Sequence, residues 1–332
     1  MSTYLTNSAL AVEMDIVALP KLPIVKAGEF GKKIALLSSK LASIYMPGYL
    51  SLPQFSDIDG LVFEFAGVAH LGGVHEKHLL KDQNGVTWLA KPDKHLLGVR
   101  AYVEAFASQV FKLCGIYTPP TFVIQHNDYL TSVQPLLDNV KPLSPDPQEW
   151  TKEQCKTVVQ SQIVRWVLSD HDGNVTNYLV LSGKDCVFPV DMGQAYRYFG
   201  KDELSLTYHP NSAFATPEPL SNIFWREVKH GELSFEWDWI LETVSKIEEI
   251  DNQFYAEQVA NFANIAVQSD KIEWVGSFRQ KIAEEKNINL KKVKREEIAA
   301  RFVDMALERK NSVRADYEKF IQSIVGNSFS LS

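Results

Sequence analysis

The densest run of polar side chains in this 332-residue sequence is Ser169-Asp170-His171-Asp172-Gly173-Asn174-Val175-Thr176-Asn177, set between an apolar stretch with helical spacing and a short strand-like one. Asp191 follows fourteen residues after Asn177, in Val190-Asp191-Met192-Gly193. A strand-turn-strand unit between them would fold Asp191 back beside Asn177. A carboxylate, a neutral amide oxygen and a second carboxylate suit a hard divalent cation, because Mg²⁺ takes a few protein oxygens and leaves its other positions to water and phosphate. One carboxylate then remains to orient a hydroxyl. Asp172 is the favoured residue for that task, and Asp170, with Asn174 as partner, competes for it. His171 reads as a loop-packing residue, and none of the eight histidines stands in a metal-ligand spacing such as HExxH.

The amino-terminal half carries complementary chemistry. Gly67, Gly72 and Gly73 lie between two strand-like runs, where a chain without β-carbons can approach a polyphosphate and aim backbone N–H groups at it. Lys91 is flanked by Leu89, Ala90 and Pro92, an apolar setting for a cation unless an anion sits opposite. Glu104, thirteen residues on, can pair with it. A backbone cradle, a cation and a carboxylate that orients it would hold a nucleotide's phosphates.

The elements that must position these groups follow from periodicity and punctuation. Strand-like runs cover Leu61 to Ala66, His75 to Lys81 and Val86 to Lys91, and Asn84-Gly85 predicts a hairpin between the last two. A helix is predicted over Val99 to Leu113, stopped by Gly115, then a strand from Thr121 to Ile124. Pro142, Pro145 and Pro147 break the pattern and place a lobe boundary near residue 140. Beyond it come a helix over Thr151 to Leu168 capped by Thr151, short strands at Tyr178 to Leu181 and Val187 to Val190, and an irregular stretch from Asp191 to about Pro219. Helices are predicted near Trp237 to Glu249, Asn252 to Val267, Lys271 to Glu285 and Arg295 to Ile324, with Trp225, Trp237, Trp239 and Trp274 in their core. Residues 1–55 read as an extension with a short helix near Lys32 to Tyr45, residues 56–140 as one lobe and residues 141–332 as the other.

The order Gly loop, Lys91, Glu104, Asp172 with Asn177 five positions later, then Asp191-Met192-Gly193, resembles the protein-kinase-like superfamily over about residues 60 to 200. The loop Asp172-Gly-Asn-Val-Thr-Asn177 lacks the His-Arg-Asp form. It is similar to the Asp-Arg-His-x-x-Asn loop of atypical members, the HipA-like kinases and the phosphoinositide 3-/4-kinases. Ala90-Lys91-Pro92, Glu104 and Leu113-Cys-Gly115 before Pro119-Pro120 look HipA-like as well. The resemblance implies an α+β, two-lobed protein-kinase-like fold, a β-rich lobe with one helix and a mainly helical lobe, with ATP between them.

By the same resemblance, Lys91 contacts the α/β phosphates, Glu104 positions it, Gly72 and Gly73 cover the phosphates, and Asp172 is the catalytic residue. Asn177 and Asp191 hold Mg²⁺ or Mn²⁺, and the backbone around Val133 and Gln134 meets adenine. Two positions depart from the pattern: Gly173 stands where an arginine is expected, and the glycine loop is not GxGxxG. The activity implied is phosphoryl transfer from ATP to a hydroxyl, by a protein Ser/Thr kinase of HipA-like type, including a bacterial toxin or delivered effector. The alternatives are a phosphoinositide or small-molecule kinase and a non-catalytic nucleotide-binding pseudokinase module.

The chain carries 34 Lys+Arg against 41 Asp+Glu, a net charge of −7, so it lacks the basic excess of a non-specific nucleic-acid binder and no nucleic-acid partner is expected. Its basic excess is local, centred on Lys291, Lys292, Lys294 and Arg295. Such runs are usually solvated helix ends; the functional reading is a clamp for an anionic regulator such as an inositol phosphate. Cys114, Cys155 and Cys186 form neither a disulfide framework nor a zinc pattern. With no signal-like amino terminus and no apolar run of membrane-spanning length, the expected location is cytoplasmic, or a host cytoplasm reached without a signal peptide.

Overall fold

A computed structural model describes residues 58, 61–69, 76–210, 212–214 and 217–326. The expected extension over residues 1–55, its short helix, and Gly72 and Gly73 lie outside the described residues. The first lobe is a five-stranded antiparallel sheet of β1 (Phe63–Val68), β2 (His78–Asp82), β3 (Thr87–Pro92), β4 (Phe122–His126) and β5 (Tyr129–Pro135), in the order β1-β2-β3-β5-β4. Helix α1 (Val99–Leu113) connects β3 to β4.

The β2–β3 connection is longer than the two-residue turn that Asn84-Gly85 predicts. The Asp82 carboxylate accepts the N–H groups of Asn84 and Val86, each at 2.9 Å, and only Gly85 takes a positive φ, 82°. A short acidic side chain that satisfies turn amides competes with the tight turn.

Alternation along the strands divides the sheet's two faces. Phe63, Leu80, Trp88, Ala90, Ile124 and Val133 gather with Ile58 into a small core on one face. Leu89, Lys91, Ser132 and Gln134 therefore fall on the other, which meets α1. That helix has a split allegiance: its residues Val103, Phe106, Val110 and Phe111 belong to the large core of the second lobe. Phe106 meets Tyr255 and Phe262 there, with ring centroids 5.3 and 6.2 Å apart. The helix that carries Glu104 is thus fixed by one lobe while its carboxylate serves the other.

The second lobe opens with β6 (Val140–Pro142), which pairs with β7 (Tyr178–Leu181), itself paired with β8 (Val187–Pro189). The prolines around residue 142 suggest only an interruption, yet an edge strand tolerates them because one side of it needs no donors. Helix α2 (Lys152–Val167) starts with the reciprocal cap its sequence predicts: Gln154 N donates to Thr151 Oγ1 and Thr151 N to Gln154 Oε1.

Then follow α3 (Leu220–His230), α4 (Trp237–Glu249), α5 (Asn252–Ala266), α6 (Glu273–Lys286) and α7 (Arg295–Val325). Among the described residues, α3 is the one α-helix of this half that periodicity reading did not predict. Its apolar residues Leu220, Phe224, Trp225 and Val228 do lie on one helical face, but eleven residues directly behind a proline-rich stretch give that signal little room. Trp225, Trp239 and Trp274 are buried in the second core and Trp237 packs against it. The result is a mixed arrangement of two lobes, one a sheet with a single helix and the other mainly helical. Among the described residues no helix is long and apolar enough to cross a membrane.

Candidate functional site

Lys91 occupies the junction of the lobes. It stands near the end of β3, directly opposite Ser132 of β5. Its Nζ donates to Glu104 Oε1 at 2.5 Å and to Asp191 Oδ1 at 3.0 Å. Ser132 Oγ donates to the other Glu104 oxygen at 2.6 Å. The Glu104 side chain is 3% exposed, so its charge is held by these two donors, a cation and a hydroxyl. Burial would favour neutral lysine, but Asp191 and Glu104 outweigh it and hold the Lys91 ammonium above the usual lysine range.

Lys91 thus meets both Glu104 of its own lobe and Asp191 of the other. Ser132 directly precedes the Val133–Gln134 segment expected to meet adenine, and nothing in its spacing signals a second donor to Glu104. Strand register carries that information: a residue paired with Lys91 points to the same face.

Asp191 has an unusual backbone, φ 59°, in the left-handed region. A non-glycine residue pays for that conformation, and it aims the carboxylate back toward Lys91. The preceding N–H, that of Val190, donates to Asn177 O at 2.9 Å. The strand-turn-strand unit thus returns Asp191 to the polar loop, as its spacing predicts.

The loop is a chain of side-chain and backbone bonds. Asn177 Nδ2 donates to the Asp172 carbonyl at 2.6 Å, Asn174 Nδ2 to Asp172 Oδ1 at 2.8 Å, and Thr176 N to Asn174 Oδ1 at 2.9 Å. Asp172 N donates to Asp170 Oδ1 at 3.1 Å. Burial, and then the Asp170 charge, push the Asp172 carboxyl up to about 6.

The two aspartates differ sharply. The Asp170 side chain has no exposure, and its other oxygen pairs with Arg165 of α2. Asp172 remains partly accessible, and among the described residues its carboxylate's side-chain partner is a neutral amide. Asn174 thus serves Asp172 and not Asp170. His171 Nε2 meets Asp202 Oδ2 at 2.9 Å, and its ring packs edge-on against Tyr208. Asp202 also receives both terminal nitrogens of Arg309, which together with His171 hold its carboxyl well below the usual range despite burial. Arg165, Asp202 and Arg309 were not singled out from the sequence.

Val133 lies in β5 between Ala90 of β3 and Phe122 of β4, with its side chain in the small core. Phe122 is the first residue of β4, so Gln134 is flanked by β3 alone. Lys291, Lys292, Lys294 and Arg295 are exposed at the junction of α6 and α7, where Arg295 Nη1 donates to Gln268.

Donor chemistry decides whether a hard cation fits. Among the described residues no three His, Cys, Asp or Glu side chains gather as a ligand set. Asn177 spends its NH₂ on the Asp172 carbonyl, which leaves its amide oxygen for a cation, and the Asp191 side chain is 39% exposed. Two oxygens, one of them on a half-exposed side chain, suit Mg²⁺ or Mn²⁺ that completes its shell with phosphate and water, and do not suit a metal caged by protein alone.

No protein-family model matches this sequence, and no curated protein matches it. Its structure is similar to that of a Helicobacter pylori proinflammatory kinase, CtkA, at 11% identity over 77% of this chain and 96% of that one, with a TM-score of 0.39. It is also similar to a Shewanella oneidensis MR-1 toxin–antitoxin complex of HipA, HipB and operator DNA, at 9% identity, 88% and 73% coverage and a TM-score of 0.37. A third is an amicoumacin kinase, hAmiN, in complex with AMP-PNP, Ca²⁺ and Ami, at 9% identity, 73% and 88% coverage and a TM-score of 0.29. Likeness this remote assigns no activity; the side chains at the lobe junction must carry that argument.

Proposed function

We propose that this protein is an ATP-dependent phosphotransferase that transfers the γ-phosphoryl group to a hydroxyl, with a protein Ser/Thr side chain as acceptor. The observation that carries the reading is the contact of Lys91 with both Glu104 and Asp191, while the Val190 N–H ties Asp191's segment to Asn177. A buried carboxylate that holds a lysine toward a second, half-exposed carboxylate is an arrangement for binding an anion together with its cation.

Lys91 would face the nucleotide phosphates, oriented by Glu104 and, behind it, Ser132. Asn177 and Asp191 would hold Mg²⁺ or Mn²⁺, which supplies charge neutralisation on the phosphates when bound. Asp172 would accept the acceptor's hydroxyl hydrogen bond and align its oxygen. A carboxylate pushed up toward neutrality is a better proton acceptor than an ordinary aspartate, and it is still largely ionised at pH 7. Asp170 is less suited to that task, since its side chain is spent on Arg165 and on the Asp172 N–H. Most of the rate enhancement would come from alignment and electrostatics.

The protein hydroxyl is the acceptor suggested by the resemblance of Ala90-Lys91-Pro92 and the Asp172 to Asn177 loop to HipA-like kinases.

Purified protein incubated with γ-³²P-ATP and Mg²⁺ or Mn²⁺ tests the reading. Transfer of label to protein Ser or Thr, abolished by Asp191→Ala and by Lys91→Ala, is the expected result. Label appearing on inositol lipids would replace the acceptor, and nucleotide binding without any transfer would replace the activity itself.

A further inference from the structure

Gly173 occupies the position at which related loops are expected to carry an arginine, and its surroundings are already filled by one. A β-carbon added there would meet Arg165 Cδ and the Tyr178 hydroxyl, each at 3.5 Å. Arg165 belongs to α2, and it is 3% exposed. Its guanidinium passes between the rings of Tyr178 and Phe111, at 5.3 and 5.9 Å from their centroids. Nη1 pairs with Asp170, whose second oxygen accepts the Asp172 N–H at 3.1 Å. Nη2 donates to the carbonyl of Val190 at 3.3 Å, the residue before Asp191. One planar group therefore holds both the segment that carries Asp172 and the segment that carries Asp191.

We infer that Arg165 is a positioning residue of this site, a clamp reaching from α2 that sets Asp172 and Asp191 in fixed relation and replaces an arginine within the loop. The inference rests on the phosphotransferase reading for its catalytic consequence and on geometry alone for the clamp. A forked cation suits the task because its two ends address two acceptors at once, whereas an ammonium is a single point charge. Since the clamp lies inside the protein and pairs with a side chain of the loop itself, it holds the loop without any added phosphate. Asn177 and Val190 complete the link between the two segments through their backbone bond.

Hydrogen exchange and kinetics on Arg165→Gln and Arg165→Lys decide the point. In Arg165→Gln, amides over residues 169–177 and 188–193 should exchange at least ~10-fold faster, while α5 and α7 keep their protection. The turnover number should fall ~10- to 100-fold with KM for ATP within about twofold, because misalignment harms the transition state more than nucleotide binding. Should the glutamine variant fail to fold, Arg165→Lys carries the test. Its single ammonium can still meet Asp170, so residues 188–193 should loosen more than residues 169–177. Wild-type exchange in either segment of the glutamine variant, or in both segments of the lysine variant, would overturn the clamp. So would a loss of activity that appears equally in KM. If the wild-type protein transfers no phosphoryl group, the phosphotransferase reading fails, and the exchange measurement still decides for or against the clamp.

Discussion

Two groups of charges lie within this molecule's central region, and they are built differently. At the lobe junction, Lys91 is shared between Glu104, which is buried, and Asp191, whose side chain is 39% exposed. Beneath the loop, Arg165 pairs with Asp170 and Arg309 with Asp202, and both aspartate side chains have no exposure at all. Under the proposed phosphotransferase reading, the difference follows from what each group would do. A carboxylate that is to exchange a lysine for a cation and phosphate must stay within reach of solvent, whereas one that holds a loop gains from low dielectric and loses by letting water in. Arg309 is further enclosed by Trp166 and Phe199, at 4.2 and 4.5 Å from their ring centroids. On that reading the junction would change partners, and the layer below it would keep them.

Substitutions can break this contrast at several levels. The largest effect is expected at Asp172: Asp172→Asn should lower turnover by ~10²–10⁴-fold in a steady-state assay while ATP still binds. The same change removes a charge that burial disfavours, so the urea midpoint at pH 7 should rise, by about 1 kcal/mol in stability. A Lys91→Met variant should lose turnover by roughly 10²-fold or more. It should also lose about 3 kcal/mol, because Glu104 then keeps only the Ser132 hydroxyl as donor.

Asp202→Asn should leave both arginine and histidine facing a neutral amide, at a cost of about 2–4 kcal/mol read from chemical unfolding, with the Lys91 site intact. The pH dependence carries a matching sign. The folded Asp202 carboxyl is depressed, so its contribution is fully present above the unfolded value near 4 and is lost as pH falls through the acid range. Asp172 runs the other way. Its folded value, about 6, exceeds the unfolded one, so ionising it costs stability as pH rises from about 4 to 6. Stability against pH in Asp202→Asn should therefore lose the acid-side fall, and in Asp172→Asn the opposing slope. The smallest effect belongs to Arg314→Ala: its paired bonds to Glu248 between α7 and α4 sit at the surface and should be worth under about 1 kcal/mol.

The helix boundaries were legible because their signals are local. Val99–Leu113 is read directly from its spacing and from Gly115, and α2 from the Thr151/Gln154 box. The short strand Tyr178–Leu181 and its turn were legible for the same reason, and with them the return of Asp191 to Asn177. Elements whose marks conflict were not. Val140–Pro142 is a strand made of a sequence that advertises a break, and α3 begins where prolines have just ended.

Residue types and their order along the chain determined a great deal by themselves: which side chains could face a phosphate, which could hold a cation, and roughly how far apart in the chain they stand. Whether those groups meet was decided by packing. Lys91 and Asp191 are 100 residues apart, and Asp202 and Arg309 are 107 apart. No periodicity reports such pairs, because a charge on a helix face looks the same whether water or a buried partner neutralises it. Burial selects between those cases, and burial is a property of the assembled cores: it made Asp170 a tether, left Asp172 accessible, and brought an arginine from α2 to the place its own loop leaves to glycine.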